Sequence, residues 1–296
     1  MHADLTAVLD RLVAALAEDP RVHGGWFYGS VGRGGWDELS DYDVVFLIDD
    51  VDFEAVAADV PALVAGACDE LLISWPENYN SPVFKNFGTL VRVGQALHQL
   101  DFFMLNADHV DDWWCRQHLK SATRENLVFD RDGRVGQLLD RGLRTDDARP
   151  DPNRCFDTYW FHAEMLIKYL LRGDVFKILK NLEFLRQAHA DLLLSRYDTL
   201  DWGGWESKVK HCVPAEKQAH LLTYATTPDL DSLRAAVVQG VGEFARDARE
   251  VFAAAGLPYR EGVAATVMEY VTERVSGTSG VDSAPDLGVS GSARSA

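Results

Sequence analysis

The chain has 296 residues, which is enough for one large domain or two smaller ones with a substantial hydrophobic core. Its formal net charge of −17 argues against a nucleic-acid polymer as partner, since such proteins need a basic surface; it suits a cationic small molecule, or simply solubility. Four cysteines without a CxxC pair predict reduced thiols in a cytoplasmic protein, and no apolar run approaches the ~20 residues of a membrane span.

The N-terminal half of the chain alternates between helical and strand patterns. Residues 3–18 carry leucines and valines at helical spacing until Pro20, and the acidic residues among them indicate a packing helix and not a signal peptide. Apolar runs divided by glycine turn signals such as Gly88 predict strands. The expected strands are 22–28, 42–48, 69–75, 83–87, 89–93, 97–105 and 126–129, and the other expected helices are 51–66, 108–120 and a last one ending near Arg144.

The C-terminal half shows only helical spacing. Residues 145–153 contain two prolines and three aspartates and are the predicted domain boundary. Residues 276–296 have almost no large apolar side chain, so we expect a disordered tail there. The fold class expected is an α/β (α+β) domain with a mixed sheet over residues 1–145, followed by an all-α helical bundle over residues 154–275. Its helices are expected at 154–172, 174–197, 214–225, 229–255 and 259–275.

The most informative stretch runs from Trp26 to Asp49 and has the sequence WFYGSVGRGGWDELSDYDVVFLID. Asp41 and Asp43 stand two apart at the start of a predicted strand, so their carboxylates should project to the same side. Paired carboxylates repel each other unless a cation neutralises them, and oxygen ligands select Mg²⁺ or Mn²⁺. Upstream, a glycine-serine turn enters a short helix expected at residues 31–36 and offers N–H groups and a hydroxyl to a phosphate. This combination indicates nucleotidyl or phosphoryl transfer.

The same residues resemble the signature of the DNA polymerase β-like nucleotidyltransferase superfamily. Gly29-Ser30 is followed by a ten-residue spacer, by the run Asp41-Tyr42-Asp43 and by an apolar strand. With the long helical second half, the sequence is most similar to antibiotic nucleotidyltransferases, namely aminoglycoside adenylyltransferases and their lincosamide-modifying relatives. The resemblance implies an enzyme that uses ATP and Mg²⁺, with two ions expected, and moves AMP to a hydroxyl group.

A third acidic residue, Asp101, lies in the apolar strand HQLDFFML. A lone carboxylate between Leu100 and Phe102 is costly to bury and needs a reason. The order of the strands makes this one the natural neighbour of the strand that carries Asp43, and the resemblance implies a third carboxylate at that place. We therefore expect Asp101 either to complete the metal site or to take the proton from the acceptor hydroxyl; a strand-end aspartate that faces solvent is the alternative.

In the second domain, Glu164 and Lys168 stand four apart in FHAEMLIKYLLRGD and face the same side of a helix. They form either an exposed ion pair or a polar pair facing a cleft. By resemblance to kanamycin-type enzymes, Glu164 competes with Asp101 as the general base, and Lys168 contacts the triphosphate in a cleft between the domains. Ser40 is expected to brace the turn before Asp41. The expected nucleotide-binding residues are Gly29, Ser30, Arg33, Ser40 and Lys168.

The sequence therefore predicts transfer of AMP from MgATP to a hydroxyl of a cationic small-molecule antibiotic, with a streptomycin-like aminoglycoside as the first choice. A lincosamide is the second choice. A protein adenylyltransferase is disfavoured by the large helical half, and a non-catalytic nucleotide-binding module is disfavoured because all three acidic positions are filled. Neither nucleic acid nor a membrane is expected as a partner, and the sequence does not indicate an oligomeric state.

Overall fold

The computed structural model describes residues 3–120, 122–142 and 149–276. By its internal contacts the chain divides into two compact units, Met1–Asp147 and Ala148–Ala296. The predicted tail from residue 277 onward, and the part of the expected boundary at 145–148, lie outside the described residues. Of the described helices, none is long and apolar enough to cross a membrane.

The first unit is built on a six-stranded mixed sheet, as predicted. Strands β2 and β5 pair in parallel at its centre, and every other neighbouring pair is antiparallel. The order across the sheet is β3-β4-β5-β2-β1-β6. The strands are β1 (Val22–Phe27), β2 (Tyr42–Ile48), β3 (Glu70–Pro76), β4 (Phe84–Val93), β5 (Ala96–Asn106) and β6 (Leu127–Asp130).

Helices cover both faces of this sheet because β2 and β5 are apolar on both sides. One core is formed by the apolar sides of two helices against Val44, Phe46 and Phe102, and a second core surrounds Trp26 and Val45 on the opposite face. The helices of the unit are α1 (Ala3–Glu18), α2 (Gly29–Gly32), α3 (Asp50–Ala67), α4 (Trp113–Leu119) and α5 (Arg134–Asp140). Helix α1 is the predicted packing helix, and its Leu5 and Val8 belong to the first core.

Four local predictions for this unit were wrong. Helix α2 begins at Gly29 and ends at Gly32, earlier than the expected 31–36. Gly88 does not end a strand, and the two strands expected on either side of it form the single strand β4. A 3₁₀ turn at Ala107–His109 precedes α4, so the helix expected at 108–120 is shorter. The helix expected to reach Arg144 ends at Asp140.

The second unit is helical, as predicted. The core of the unit is rich in aromatic rings, including Tyr159 and Phe244, which stack with ring centroids 3.5 Å apart. Its helices are α6 (Pro152–Arg172), α7 (Val175–Tyr197), α8 (Trp205–Cys212), α9 (Ala215–Leu222), α10 (Leu230–Ala255) and α11 (Glu261–Ser276). Helix α8 was not predicted, because Gly203 and Gly204 directly before it are typical of a loop.

A fully buried carboxylate, Asp247, ties three helices of the second unit together. It accepts hydrogen bonds from Lys217 at 2.7 Å, His220 at 2.8 Å and His189 at 2.9 Å. A buried charge is tolerated only when it is paired and hydrogen-bonded in this way. His189 and His220 therefore have a structural role in this unit.

Candidate active site

The parallel register of β2 and β5 brings three carboxylates together. Asp43 lies directly beside Asp101 in this pairing, and Asp41 precedes Asp43 by two residues on the same side. One oxygen from each of Asp41, Asp43 and Asp101 can be chosen so that all three lie within 4.8 Å of one another. Tyr42, between the two aspartates, turns to the opposite face and is buried in the core with α1. The structure thus unites the three acidic residues that the sequence singled out.

The electrostatics of this cluster favour a bound cation. Burial, followed by the charges of Asp41 and Asp101, raises the pKa of Asp43 to about 7. Among the named influences, only the charge of Arg33 acts to lower it. Burial also raises the pKa of Asp101. Three half-buried carboxylates whose oxygens lie this close together are a suitable oxygen-ligand set for a divalent metal such as Mg²⁺ or Mn²⁺.

The glycine-serine turn contacts this cluster directly. Tyr28, after β1, donates its backbone N–H to the carbonyl of Asp43 at 2.9 Å, and Gly29 then adopts a φ of +59°. A Cβ atom at Gly29 would lie 1.7 Å from Oδ2 of Asp43, so only glycine fits here. The hydroxyl of Ser30 is buried and has no hydrogen-bond partner among the described residues. This leaves a donor available for a phosphate oxygen next to the carboxylates.

The other predicted residues of the first unit have identifiable places. Ser40 accepts a hydrogen bond from the backbone of Asp37 and donates one to its carboxylate, so it braces the loop before Asp41. Arg33 follows α2, where its charge acts on Asp43. A cavity of about 430 Å³ opens beside Asp41 and is lined also by Trp36 and Leu97. It provides space for part of a small-molecule ligand.

Sequence reasoning missed the residues that surround Asp101. Gln99, two residues earlier on the same side of β5, donates its amide to Oδ2 of Asp101 at 2.8 Å. Gly88 lies directly across from Asp101 on β4, and a Cβ atom there would lie 3.4 Å from Oδ1 of that carboxylate. Asn86, on the same side of β4, is only 4% exposed. The two-residue Gly94-Gln95 turn between β4 and β5 was the available signal, because it fixes this register.

Glu164 and Lys168 lie in the second unit. They form an ion pair of 3.0 Å on α6, with side chains that are 40% and 53% exposed, respectively. Glu164 also lines a shallow depression of about 630 Å³ with Phe161 and Val263. The pair therefore has the geometry of an exposed i,i+4 ion pair, and the depression beside Glu164 lies within the second unit.

Comparison with known proteins gives weak structural likenesses only. No protein-family model matches the chain, and no curated protein matches it. Among solved structures, an aminoglycoside 6-adenyltransferase from Bacillus subtilis is similar at 13% identity and a TM-score of 0.41, covering 90% of this chain and 97% of its own. A putative nucleotidyltransferase from H. pylori is similar at 12% identity and a TM-score of 0.31, covering 84% of this chain and 98% of its own. At these scores, the chain's own residues must carry any functional conclusion.

Replacing Gly29 with alanine should weaken metal binding at the cluster. The new methyl group would occupy the position of Asp43 Oδ2, so this carboxylate must swing away from Asp41 and Asp101. We expect the affinity for Mn²⁺, measured by electron paramagnetic resonance titration, to fall at least about tenfold, as for the loss of one strong ligand contact. The matched control is Gly34→Ala, at a similar φ of +68° but with nothing within 4 Å. Equal Mn²⁺ affinities of the two variants would contradict the close approach of Gly29 to the metal site.

The raised pKa of Asp43 predicts how metal-free stability depends on pH. Because its folded pKa of about 7 exceeds the ordinary 3.8, Asp43 stabilises the fold at low pH and this contribution is lost as pH rises through about 7. Asp43→Asn should therefore be more stable than the metal-free wild type at pH 8 by about 1–3 kcal/mol after solvent screening. The difference should fall to roughly half or less at pH 5, since it vanishes only below the unfolded-state pKa of 3.8. Urea denaturation with chelator at both pH values measures it.

Added Mn²⁺ at pH 8 should stabilise the wild type and leave Asp43→Asn unchanged. Asp10→Asn, which alters an exposed carboxylate on α1, should respond to Mn²⁺ as the wild type does. If the free energies of unfolding of metal-free Asp43→Asn and wild type differ by the same amount at both pH values, the neighbours of Asp43 do not raise its pKa.

Proposed function

We propose that the chain is a metal-dependent nucleotidyltransferase that moves AMP from MgATP to a hydroxyl group of a small-molecule antibiotic, with an aminoglycoside as the first choice. The observation that carries this proposal is the meeting of Asp41, Asp43 and Asp101 within 4.8 Å, on paired parallel strands beside a glycine-serine turn. The four free cysteines suit a cytoplasmic enzyme, where ATP is available.

Each residue of the proposed site has a defined task. Asp41, Asp43 and Asp101 would hold Mg²⁺, with two ions proposed, and a bound Mg²⁺ neutralises the charge of the triphosphate. The backbone at Gly29 and the free hydroxyl of Ser30 bind phosphate oxygens. Two positively charged side chains are proposed to attract the same phosphates. They are Arg33, near the cluster, and Lys168, on α6.

In the proposed reaction, the acceptor oxygen forms a bond to the α-phosphorus as the bond from that phosphorus to the β-phosphate oxygen breaks. Pyrophosphate leaves, and the proton of the acceptor hydroxyl passes to Asp101 or to Glu164. Gln99 donates to Oδ2 of Asp101 at 2.8 Å and so fixes the orientation of this carboxylate next to Asp43. Asp101 is therefore suited to either role, and Glu164 is its competitor as the base.

The acidic character of the chain supports a cationic acceptor. A net charge of −17 raises the local concentration of a polycation such as an aminoglycoside near an acidic cleft. Lincosamides remain the second acceptor class, and a hydroxyl group on a protein the third.

Activity assays with Asp43→Asn test this function. The variant should lose AMP transfer by at least about 10³-fold, because a metal ligand is removed while little packing changes. Wild type, Asp43→Asn and the control Asp10→Asn are incubated with labelled ATP, Mg²⁺ and a panel of aminoglycosides and lincosamides. Pyrophosphate release and product mass are the measurements.

Label transferred to protein in an added lysate, and not to a drug, would favour a protein adenylyltransferase. ATP binding that does not depend on Mg²⁺, without turnover, would favour a non-catalytic module. An active Asp43→Asn enzyme would contradict the metal assignment. Glu164→Gln separates the two candidate bases: if Glu164 is the base, this variant should lose turnover while keeping its Mn²⁺ affinity, whereas unchanged turnover assigns the base to Asp101.

A further inference from the structure

The sheet order separates two sides of the candidate site. Gly29 and Ser30 follow β1 and lie against Asp43, on the side of β2 that faces away from β5. Asp101 lies on β5, and beyond it comes β4 with Asn86 and Gly88. We call these the phosphate side, at Gly29 and Ser30, and the β4 side, at Asp101 and Asn86.

The chemistry of the proposed function determines which molecule occupies which side. In a nucleotidyl transfer, the attacking oxygen and the leaving oxygen lie on opposite sides of the phosphorus. If the leaving pyrophosphate is held on the phosphate side by Gly29 and Ser30, the acceptor hydroxyl must approach from the β4 side. The residues that border Asp101 on that side are therefore the ones that meet the acceptor.

An amide with an unused oxygen lies at this place. Asn86 is 4% exposed, and its Oδ1 has no hydrogen-bond partner among the described residues. Its backbone is fixed by Asn80, which accepts from the N–H of Asn86 at 2.7 Å and donates to its carbonyl at 3.0 Å. Burial raises the pKa of Asp101, and the Asn86 amide acts against this rise by a hydrogen bond that favours the charged form of that carboxyl. A buried carbonyl oxygen without a donor indicates a donor that arrives with a ligand.

Two side chains from the connection between β3 and β4 lie beside this amide. Tyr79 stacks on Trp114 with ring centroids 4.9 Å apart, and its hydroxyl accepts from Nδ2 of Asn86 at 3.2 Å. Glu77 donates its backbone N–H to the carbonyl of Asn86 at 3.1 Å. The charge of Glu77 helps to raise the pKa values of Asp101 and Tyr79, so its carboxylate lies within electrostatic reach of both. Among the described residues, no lysine or arginine pairs with Glu77.

We propose that Glu77, Tyr79 and Asn86 form the acceptor-recognition subsite, and that it selects an acceptor with a cationic nitrogen close to the attacked hydroxyl. This inference rests on the proposed function. The carboxylate of Glu77 and the Oδ1 of Asn86 accept hydrogen bonds and need a donor-rich partner, such as an ammonium or guanidinium group next to a hydroxyl. The stacked ring of Tyr79 holds its hydroxyl in place, so the subsite is formed before the acceptor binds.

Steady-state kinetics of Glu77→Gln test this subsite, with streptomycin and kanamycin as acceptors. The change keeps the shape of the side chain and removes its charge, so the KM of the acceptor should rise about tenfold or more, as for a lost charged hydrogen bond. The KM of MgATP and the affinity for Mn²⁺ should stay within about twofold, because the phosphate side is untouched. Tyr79→Phe should raise the KM of the acceptor by a smaller factor, about threefold. Glu125→Gln, a change of an exposed glutamate in the same unit, is the control and should match the wild type.

The outcomes separate this inference from the proposed function. If the wild type turns over either drug and Glu77→Gln keeps the KM of the acceptor, or raises the KM of MgATP equally, the subsite is wrong and the function stands. If the wild type turns over neither drug, calorimetry measures the binding of streptomycin and kanamycin instead, in the presence of Mg²⁺ and a non-hydrolysable ATP analogue. Binding that weakens about tenfold in Glu77→Gln then supports the subsite although the function fails. A wild type that binds neither drug overturns the subsite as well.

Discussion

The repulsion among three carboxylates at the junction of β2 and β5 is the constraint on which the rest of the site depends. Parallel pairing places Asp43 beside Asp101, and the strand period adds Asp41 on the same side. The apolar cores on both faces of the sheet hold these strands in register, so the backbone positions of the three aspartates are fixed close together. The free energy stored in this arrangement is released when a cation binds, which is why the cluster is suited to a metal.

Two aspartates of this chain show how surroundings decide between structure and chemistry. Burial alone would raise the pKa of Asp247, but hydrogen bonds from His189, Lys217 and His220 lower it to about 2, and the carboxylate is a fixed anion in the helical unit. Asp43 has carboxylates as neighbours, and its pKa rises to about 7. The first arrangement is complete without a ligand, whereas the second needs a positive charge from outside the chain.

Much of this arrangement was predictable from the sequence, since local patterns determine it. Strand β2 has the predicted bounds, and the apolar surroundings of Asp101 indicated a carboxylate with a special role. Spacing along the chain did not reveal Gln99, Glu77, Tyr79 or Asn86, because their importance comes from contacts across β3, β4 and β5. Gly88 was read as a turn, although glycine on a strand also marks the close approach of another group, here the Asp101 carboxylate. The acceptor cannot be derived from local patterns, because it depends on how several side chains meet in space.

The most direct measurement is anomalous X-ray diffraction from crystals grown with Mn²⁺ and a non-hydrolysable ATP analogue. If the three carboxylates form the metal site, the anomalous peak will lie within about 2.3 Å of oxygens from Asp41 and Asp43, next to Asp101. The phosphates of the analogue will then lie against Gly29 and Ser30. An ordered nucleotide with Mn²⁺ elsewhere, and no peak at these aspartates, would contradict the account.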